Sequence, residues 1–194
     1  MARHCKSQGL KAAVLNVAVL RAVEGELLGE ARSLLEEMAK MNLWTPVTYI
    51  LRDRLGSHGD GLVGKPAWPG LQDPGQGSHK YVRAVYHVMK HGTAGNPDSI
   101  MSAVEDYSEK KGWLKLGAAY EKGSVLDAAL EESSQYEKPH RVLEFGTFIG
   151  YSAIRMTGIL GPNARVVTME SDPEVACLAI NNLILAGVSD RVDV

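Results

Sequence analysis

The sequence has few cysteines, no long apolar run and no excess of charge of one sign, and each scarcity excludes a class of protein. Two cysteines among 194 residues, Cys5 and Cys177, cannot build a disulfide framework, so we expect a reducing compartment and by default the cytoplasm. Lysine and arginine total 21 against 23 aspartates and glutamates, which leaves no basic excess for binding nucleic acid. The longest uncharged stretch near the start, Ala12–Leu20, is too short to span a bilayer.

The amino-terminal stretch has some features of a targeting peptide, because Arg3, Lys6 and Lys11 precede the apolar run and the first 23 residues contain no acid. However, Arg21 ends the run, no small-x-small cleavage site follows and serine is scarce. We therefore predict an ordinary helix here, with organelle targeting as an open alternative. The composition, 45% apolar and 23% charged, is that of a globular protein.

Composition divides the chain into three segments. Residues 1–55 are predicted to form a helical extension, and residues 56–78, in which glycine and proline occupy ten of 23 positions, a linker. Residues 79–194 are predicted to form the cofactor-binding domain. Within the extension, five apolar residues are spaced for one face of a helix: Leu27, Leu28, Leu34, Leu35 and Met38.

The third segment alternates helices with strands. Helices are predicted at Lys80–Lys90, from Pro97 to about Lys111, and at Lys122–Glu132, Tyr151–Leu160 and Pro173–Ala186. Strands are predicted at Arg141–Phe145, which we expect to be buried, at Arg165–Glu170, and from Arg191 onward. The order strand, helix, strand, helix, strand is the start of an α/β, doubly wound parallel sheet of the Rossmann type.

A glycine loop after the first predicted strand is the most informative motif. The strand brings Glu144 to its carboxyl end, and Gly146 and Gly150 allow the backbone to turn closely against a ligand at the start of a helix. The Gly-x-x-x-Gly spacing differs from that of nicotinamide binders, and a glutamate here repels a pyrophosphate but suits a cationic amino group. The motif predicts a nucleoside-like ligand with a positively charged end.

A second acid supports this interpretation. Glu170 ends the second predicted strand, 24 residues after Gly146, near the spacing at which a carboxylate meets the ribose hydroxyls of a nucleoside. The alternative, that Glu144 and Glu170 are only polar strand ends, is less favoured because strand, acid, loop, helix and second acid occur together.

The segment from about His79 to Val194 resembles catechol O-methyltransferase and its close relatives, which use S-adenosylmethionine. The resemblance is carried by Gly95–Ser99, Trp113, Lys122, Gly123, Asp127, Val142–Ser152 and Thr168–Pro173. It implies the Rossmann-like fold of class I methyltransferases, truncated after the third strand, and methyl transfer to a hydroxyl of a small catechol-type substrate.

The resemblance also implies roles for particular residues. Those expected at the cofactor are Leu116 through its backbone, Glu144, Gly146, Gly150, Tyr151 and Ser152 at the amino-acid end, and Glu170 at the ribose. Trp113 is expected to line the catechol pocket, with a buried aromatic at a helix end as the alternative. The match at Leu116 is loose, because five residues, Gly117–Glu121, separate it from Lys122 where the family has Gly-Asp.

The family's catalytic lysine and the ligands of its Mg²⁺ ion come after the third strand, so the resemblance implies no catalytic residue and no metal ligand before Val194. Asp190 and Asp193 come too early in the chain to serve as those ligands. We therefore interpret the chain as the amino-terminal half of a catalytic domain, with Val142–Phe145 as an apolar open edge that invites pairing with another chain.

Two other interpretations stay open. The first is a non-catalytic protein that binds S-adenosylmethionine or binds a partner through its N-terminal helices. The second, less favoured, is a fragment of a nicotinamide-dependent oxidoreductase. His87 and His91 are four residues apart on a helix, but we expect solvated histidines and not a metal site. Cys177 is predicted to be a small buried apolar residue.

Overall fold

The computed structural model describes residues 8–55, 80–111, 121–136 and 141–194. In these ranges eight helices and three strands follow one another along the chain. They are α1 (Gln8–Glu24), α2 (Leu28–Lys40), α3 (Pro46–Arg54), α4 (Lys80–His91), α5 (Pro97–Lys111), α6 (Glu121–Tyr136), β1 (Arg141–Phe145), α7 (Tyr151–Leu160), β2 (Arg165–Met169), α8 (Pro173–Ala186) and β3 (Val192–Asp193). Every helix and strand predicted from His79 onward is present, with bounds that differ by a few residues at most.

Local capping explains why several boundaries were predictable. Asn96 Oδ1 accepts a hydrogen bond from the Ser99 backbone N–H at 3.1 Å, at the start of α5. Asp172 Oδ1 accepts one from the Glu174 N–H at 2.9 Å, at the start of α8. Gly187 closes α8 in the left-handed conformation, with φ 76°. These signals lie within a few residues of the boundary, so the sequence alone contains them.

The three strands form a parallel sheet in the order β1-β2-β3. Glu144 pairs with Thr168, and Phe145 pairs with Met169. Helix α7 contacts β2 and α8, and Val166 of β2 is buried. This is the predicted Rossmann-like arrangement, with β1 at an edge of the sheet within the described residues.

The prediction that β1 is a buried strand was wrong, because its residues are alternately exposed and half-buried. The exposed fractions are 53% for Leu143, 77% for Phe145 and 51% for Met169 beside it on β2. These side chains alternate with Val142 and Glu144, so they point away from α7 and α8. Local sequence shows an apolar strand, but whether a second layer covers it depends on the rest of the fold.

The N-terminal helices pack on the C-terminal part of the described chain. Helix α1 lies against α2, α3 and α8, and α3 also contacts α8. As predicted, Leu35 and Met38 are buried along α2, but Leu27 and Leu28 are largely exposed. The reason is that Leu27 precedes the helix and Leu28 begins it, before the buried face is established.

Some predictions lie outside the described residues, namely the linker at 56–78, Trp113 and Leu116. The division of the chain into three segments stays a prediction. Cys177 is buried as expected. Among the helices of the described ranges, none is both long and apolar enough to cross a bilayer.

Candidate cofactor site

The loop between β1 and α7 has three residues in the left-handed region, Gly146 (φ 96°), Phe148 (φ 53°) and Gly150 (φ 83°). The N–H groups of Gly146 and Thr147 both donate to the Met169 carbonyl oxygen, at 2.8 and 3.1 Å, which ties the loop to the end of β2. A Cβ placed on Gly146 would meet no atom within 4 Å, so this position faces open space. The loop is therefore rigid where it meets the sheet and open where a ligand would approach.

Glu144 lies at the carboxyl end of β1, on the face that α7 covers. One carboxylate oxygen accepts a hydrogen bond from Ser152 Oγ, and the other accepts one from Thr168 Oγ1 at 2.7 Å. The Thr168 hydroxyl also contacts the Thr147 hydroxyl at 2.8 Å. Because these bonds hold the carboxylate in one orientation, Glu144 is preorganised and keeps lone pairs for a further donor.

Glu170 lies at the end of the neighbouring strand and is also held in place. Its Oε2 accepts from the Phe148 N–H at 2.9 Å, and its Oε1 accepts from the Asp172 N–H at 3.1 Å. The first bond explains part of the unusual loop conformation, since the positive φ of Phe148 occurs where its N–H meets this carboxylate. Two oriented carboxylates therefore flank one glycine loop.

Helix α7 begins at this loop without a side-chain cap, because Gly150 is its N-cap residue. The N–H groups of Tyr151, Ser152 and Ala153 precede the first hydrogen bond within the helix, from Ile154 N–H to the Gly150 carbonyl at 3.0 Å. Such amides form an anion-binding position. These amides and the Glu144 carboxylate thus present a position for an anion and a position for a cation at one end of α7.

The side chain of Tyr151 has a different environment from the one expected of a cofactor ligand. Its hydroxyl donates to Glu105 Oε1 on α5 and accepts from Arg155 Nη1 at 3.1 Å. Burial, followed by the hydrogen bond to Glu105, raises the pKa of the Tyr151 phenol, which keeps it protonated as a donor. Tyr151 thus contributes its backbone to the loop and its hydroxyl to helix packing.

Arg155 continues this contact to α6. Its Nε donates to Asp127 Oδ1 at 2.6 Å, and its Nη2 donates to Asp127 Oδ2, so the pair is bidentate. The hydrogen bonds that Arg155 donates hold the pKa of Asp127 below its usual value, and the same bonds raise the pKa of Arg155. Both groups are therefore charged at neutral pH.

The structure brings five of the predicted residues around one loop: Glu144, Gly146, Gly150, Ser152 and Glu170. Their assignment to the cofactor stays a prediction. Sequence reasoning missed Thr168, whose contact with Glu144 follows from parallel register, and Asn182, whose Nδ2 donates to the Ile149 carbonyl at 2.9 Å. Register could have indicated Thr168 once the two strands were aligned, whereas the Asn182 contact depends on how α8 packs.

The prediction that His87 and His91 are solvated was wrong for His87. Its Nε2 lies 2.9 Å from Asp106 Oδ2, and the two imidazole rings are 4.2 Å apart. Burial lowers the pKa of His87, and this effect outweighs the hydrogen bond to Asp106, which raises the pKa. Within the described ranges no group of three histidine, cysteine, aspartate or glutamate residues could hold a metal ion.

The fold and the loop together are those of a class I methyltransferase: parallel strands with helices between them, and acids at the carboxyl ends of the first two strands. A family model described as O-methyltransferase matches residues 92–194, which is more than half of the chain. The chain belongs to the O-methyltransferase family, whose members use S-adenosylmethionine, and within that family it is related to the catechol O-methyltransferases.

The relatives include catechol O-methyltransferase of Bos taurus, 37% identical over 118 residues, which are 61% of this chain and 42% of that protein. Catechol O-methyltransferase of Mus musculus is 38% identical over 119 residues, 61% of this chain and 43% of that protein. A transmembrane O-methyltransferase of Homo sapiens is 32% identical over 111 residues, 57% of this chain and 36% of that protein. The chain thus spans less than half the length of these curated relatives.

Proposed function

We propose that this chain supplies the S-adenosylmethionine site of an O-methyltransferase that acts on catechol-type substrates. The observation that carries the proposal is the pair of oriented carboxylates, Glu144 and Glu170, on either side of the open position at Gly146. The assignment of the substrate class is supported by the names of the relatives from Bos taurus and Mus musculus.

The residues of the loop fit the groups of this cofactor. Glu144 would bind the ammonium of the methionine part, and the first amides of α7 would bind its carboxylate. Glu170 would accept hydrogen bonds from both ribose hydroxyls. When bound, S-adenosylmethionine supplies a methyl group on a positively charged sulfur.

The same charges set the selectivity of the site. Glu144 would disfavour a diphosphate at the loop, and Glu170 would disfavour a phosphorylated ribose, because like charges would then be brought together. Both effects argue against the nicotinamide-dependent alternative. The last residue of the loop, Gly150, packs closely against α8, because a Cβ at this position would lie 3.4 Å from the Ala179 carbonyl oxygen.

The described residues do not fit the Mg²⁺ ion expected of the catechol O-methyltransferases, because none of their acidic or histidine side chains form a group of three that could hold a metal. Leu116 and Trp113 are proposed, on the resemblance alone, to contact the cofactor and the catechol.

We also propose the three-segment organisation, with an N-terminal helical segment before the linker. The packing of α1 and α3 on α8 supports a role for this segment within the fold. For a protein partner, β1 is a better-supported surface than the N-terminal helices. It lies at the edge of the described sheet and exposes Leu143 and Phe145 on one face.

Calorimetric titration with S-adenosylhomocysteine tests the cofactor assignment. We expect the unmodified chain to bind, and Glu144→Gln and Glu170→Gln each to weaken binding by about tenfold or more, because each removes a charge-assisted hydrogen bond. Glu174→Gln is the matched control, since Glu174 is exposed on the first turn of α8. Equal affinity in all four proteins, or tighter binding of NADH than of S-adenosylhomocysteine, would overturn the proposal.

A transfer assay separates an enzyme from a non-catalytic binding protein. The unmodified chain is mixed with S-adenosylmethionine, catechol and Mg²⁺, and methylated catechol is measured. From the resemblance, which assigns no catalytic residue to this chain, we expect binding without transfer by the chain alone. Transfer that is abolished by Glu170→Gln would instead show that the chain is a complete enzyme.

A further inference from the structure

A chain of polar side chains lies behind the start of α7 and joins three helices. Asp127 on α6 holds Arg155 on α7, Arg155 donates to the Tyr151 hydroxyl one turn earlier, and that hydroxyl donates to Glu105 on α5. The Arg155 side chain is nine-tenths buried. Removing a guanidinium from water is costly unless it is hydrogen-bonded, and here Asp127 and Tyr151 supply those bonds.

The direction of the Arg155 side chain links these hydrogen-bonded side chains to the loop between β1 and α7. Side chains on a helix lean toward its N-terminus, so Arg155 reaches back over the turn that contains Tyr151. The next residue, Ser152, donates its hydroxyl to Glu144. A movement of the first turn of α7 away from α5 and α6 would therefore displace the Ser152 hydroxyl from Glu144, together with the first amides of the helix.

We propose that Arg155 is a positioning residue for the cofactor site: held by Asp127, it acts through Tyr151 to fix the first turn of α7 against the amino-acid end of S-adenosylmethionine. The inference rests on the proposed function. Arg155 does not touch the loop itself. Its planar fork, which bonds Asp127 with two donors and Tyr151 with a third, is what a lysine could not reproduce.

The other end of α7 offers a matched control. Arg191 Nη1 donates to the carbonyl oxygens of Thr157 and Gly161, both at 3.1 Å. Arg191→Met thus removes an arginine that stabilises the same helix, but at the end that lies away from the loop. Comparing it with Arg155→Met separates loss of position at the loop from loss of helix stability.

The first test is titration with S-adenosylhomocysteine at a temperature where circular dichroism shows each variant to be folded. We expect Arg155→Met to weaken binding by about tenfold and Arg155→Lys to weaken it less, while Arg191→Met changes it by less than about twofold. If Arg155→Met is unfolded, Tyr151→Phe replaces it, because that change removes only the hydroxyl. Equal affinity of the Arg155→Met (or Tyr151→Phe) and Arg191→Met proteins would overturn the inference.

The second test needs no ligand. Amide hydrogen exchange is measured along α7, where the amides at positions 154 and 155 are the first to be hydrogen-bonded within the helix. Arg155→Met should accelerate exchange at these positions, and Arg191→Met should accelerate it in the last turn. Uniform acceleration along α7 in both variants would overturn the inference. Failure of the unmodified chain to bind S-adenosylhomocysteine would overturn the proposed function, whatever the exchange pattern.

Discussion

The two sides of the molecule around the sheet differ sharply in how their apolar residues are covered. On one side, α8 is buried along most of its length and packs against α1, α3 and α4. On the other side, Leu143, Phe145 and Met169 are more than half exposed within the described residues. The sequence is apolar on both sides, so composition does not distinguish them.

The side on which α8 packs is held together by polar contacts as well as by apolar packing. Asn16 of α1, which is fully buried, donates to Asn181 Oδ1 of α8 at 2.9 Å and to Thr45 Oγ1 at 3.0 Å. Buried amides tolerate few alternative arrangements, so this contact defines how α1 lies on α8. The bare face, which we define by Leu143, Phe145 and Met169, has no such contact in the described residues. Parallel sheets are usually covered on both faces, which is why we propose a partner there.

The largest expected effect on the free energy of unfolding comes from replacing a leucine by alanine on the side on which α8 packs, compared with the same replacement on β1. Leu185 of α8 is fully buried, and Leu143 of β1 is half exposed. We expect Leu185→Ala to lower the free energy of unfolding by about 3 kcal/mol, because it leaves a cavity, and Leu143→Ala to lower it by less than about 1 kcal/mol. Urea unfolding measures both. Equal losses would show that the β1 face is covered in solution.

A somewhat smaller effect is expected at the buried amide contact. Asn16→Ala should lower the free energy of unfolding by about 2 kcal/mol, because Asn181 and Thr45 are left buried without this partner. Asn163→Ala, in an exposed turn, is the control and should change stability by no more than about 0.5 kcal/mol. A loss at Asn16 as small as that at Asn163 would contradict the role of the contact.

The ion pair between α6 and α7 predicts a pH dependence. Because Arg155 lowers the folded-state pKa of Asp127 below that in the unfolded chain, the pair stabilises the fold above about pH 4 and loses this contribution as the pH falls through the lowered pKa. Asp127→Asn should cost about 1 kcal/mol at pH 7, and the difference from the unmodified chain should shrink below pH 4. Unfolding free energies from pH 3 to 7 test this. A difference that does not change with pH would contradict the assignment.

The smallest effect on stability is expected on the bare face. The double substitution Leu143→Thr and Phe145→Thr should leave the melting temperature nearly unchanged, because both side chains are exposed and threonine favours strands. It should raise the concentration at which the chain self-associates, measured by light scattering. Val125→Thr, at an exposed position of α6, is the control that should leave self-association unaltered. If Val125→Thr changes self-association as much as the double substitution does, β1 is not the surface through which the chain self-associates.

Sequence reasoning succeeded where the signal is local. The ends of α7 and α8 are marked within the sequence itself, by Gly150 and Gly161 for α7 and by Asp172 and Gly187 for α8. The two acids and the glycine loop were found for the same reason, since strand, loop and helix are consecutive.

What could not be predicted depends on residues that are distant in the chain. The exposure of Phe145 depends on whether another layer covers β1, and the pairing of Arg155 with Asp127 spans 28 residues. The Asn16 contact with Asn181 spans 165 residues. None of these pairs has a pattern that periodicity or capping could indicate.

The most direct test of the central claim is backbone NMR of the unmodified chain during titration with S-adenosylhomocysteine. If the cofactor binds at the loop between the first two strands, the largest chemical-shift changes will lie at residues 144–152 and 170–172, and the signals of α1 and α2 will stay in place. Changes centred elsewhere, or no change at millimolar ligand, would contradict the assignment of this loop as the S-adenosylmethionine site.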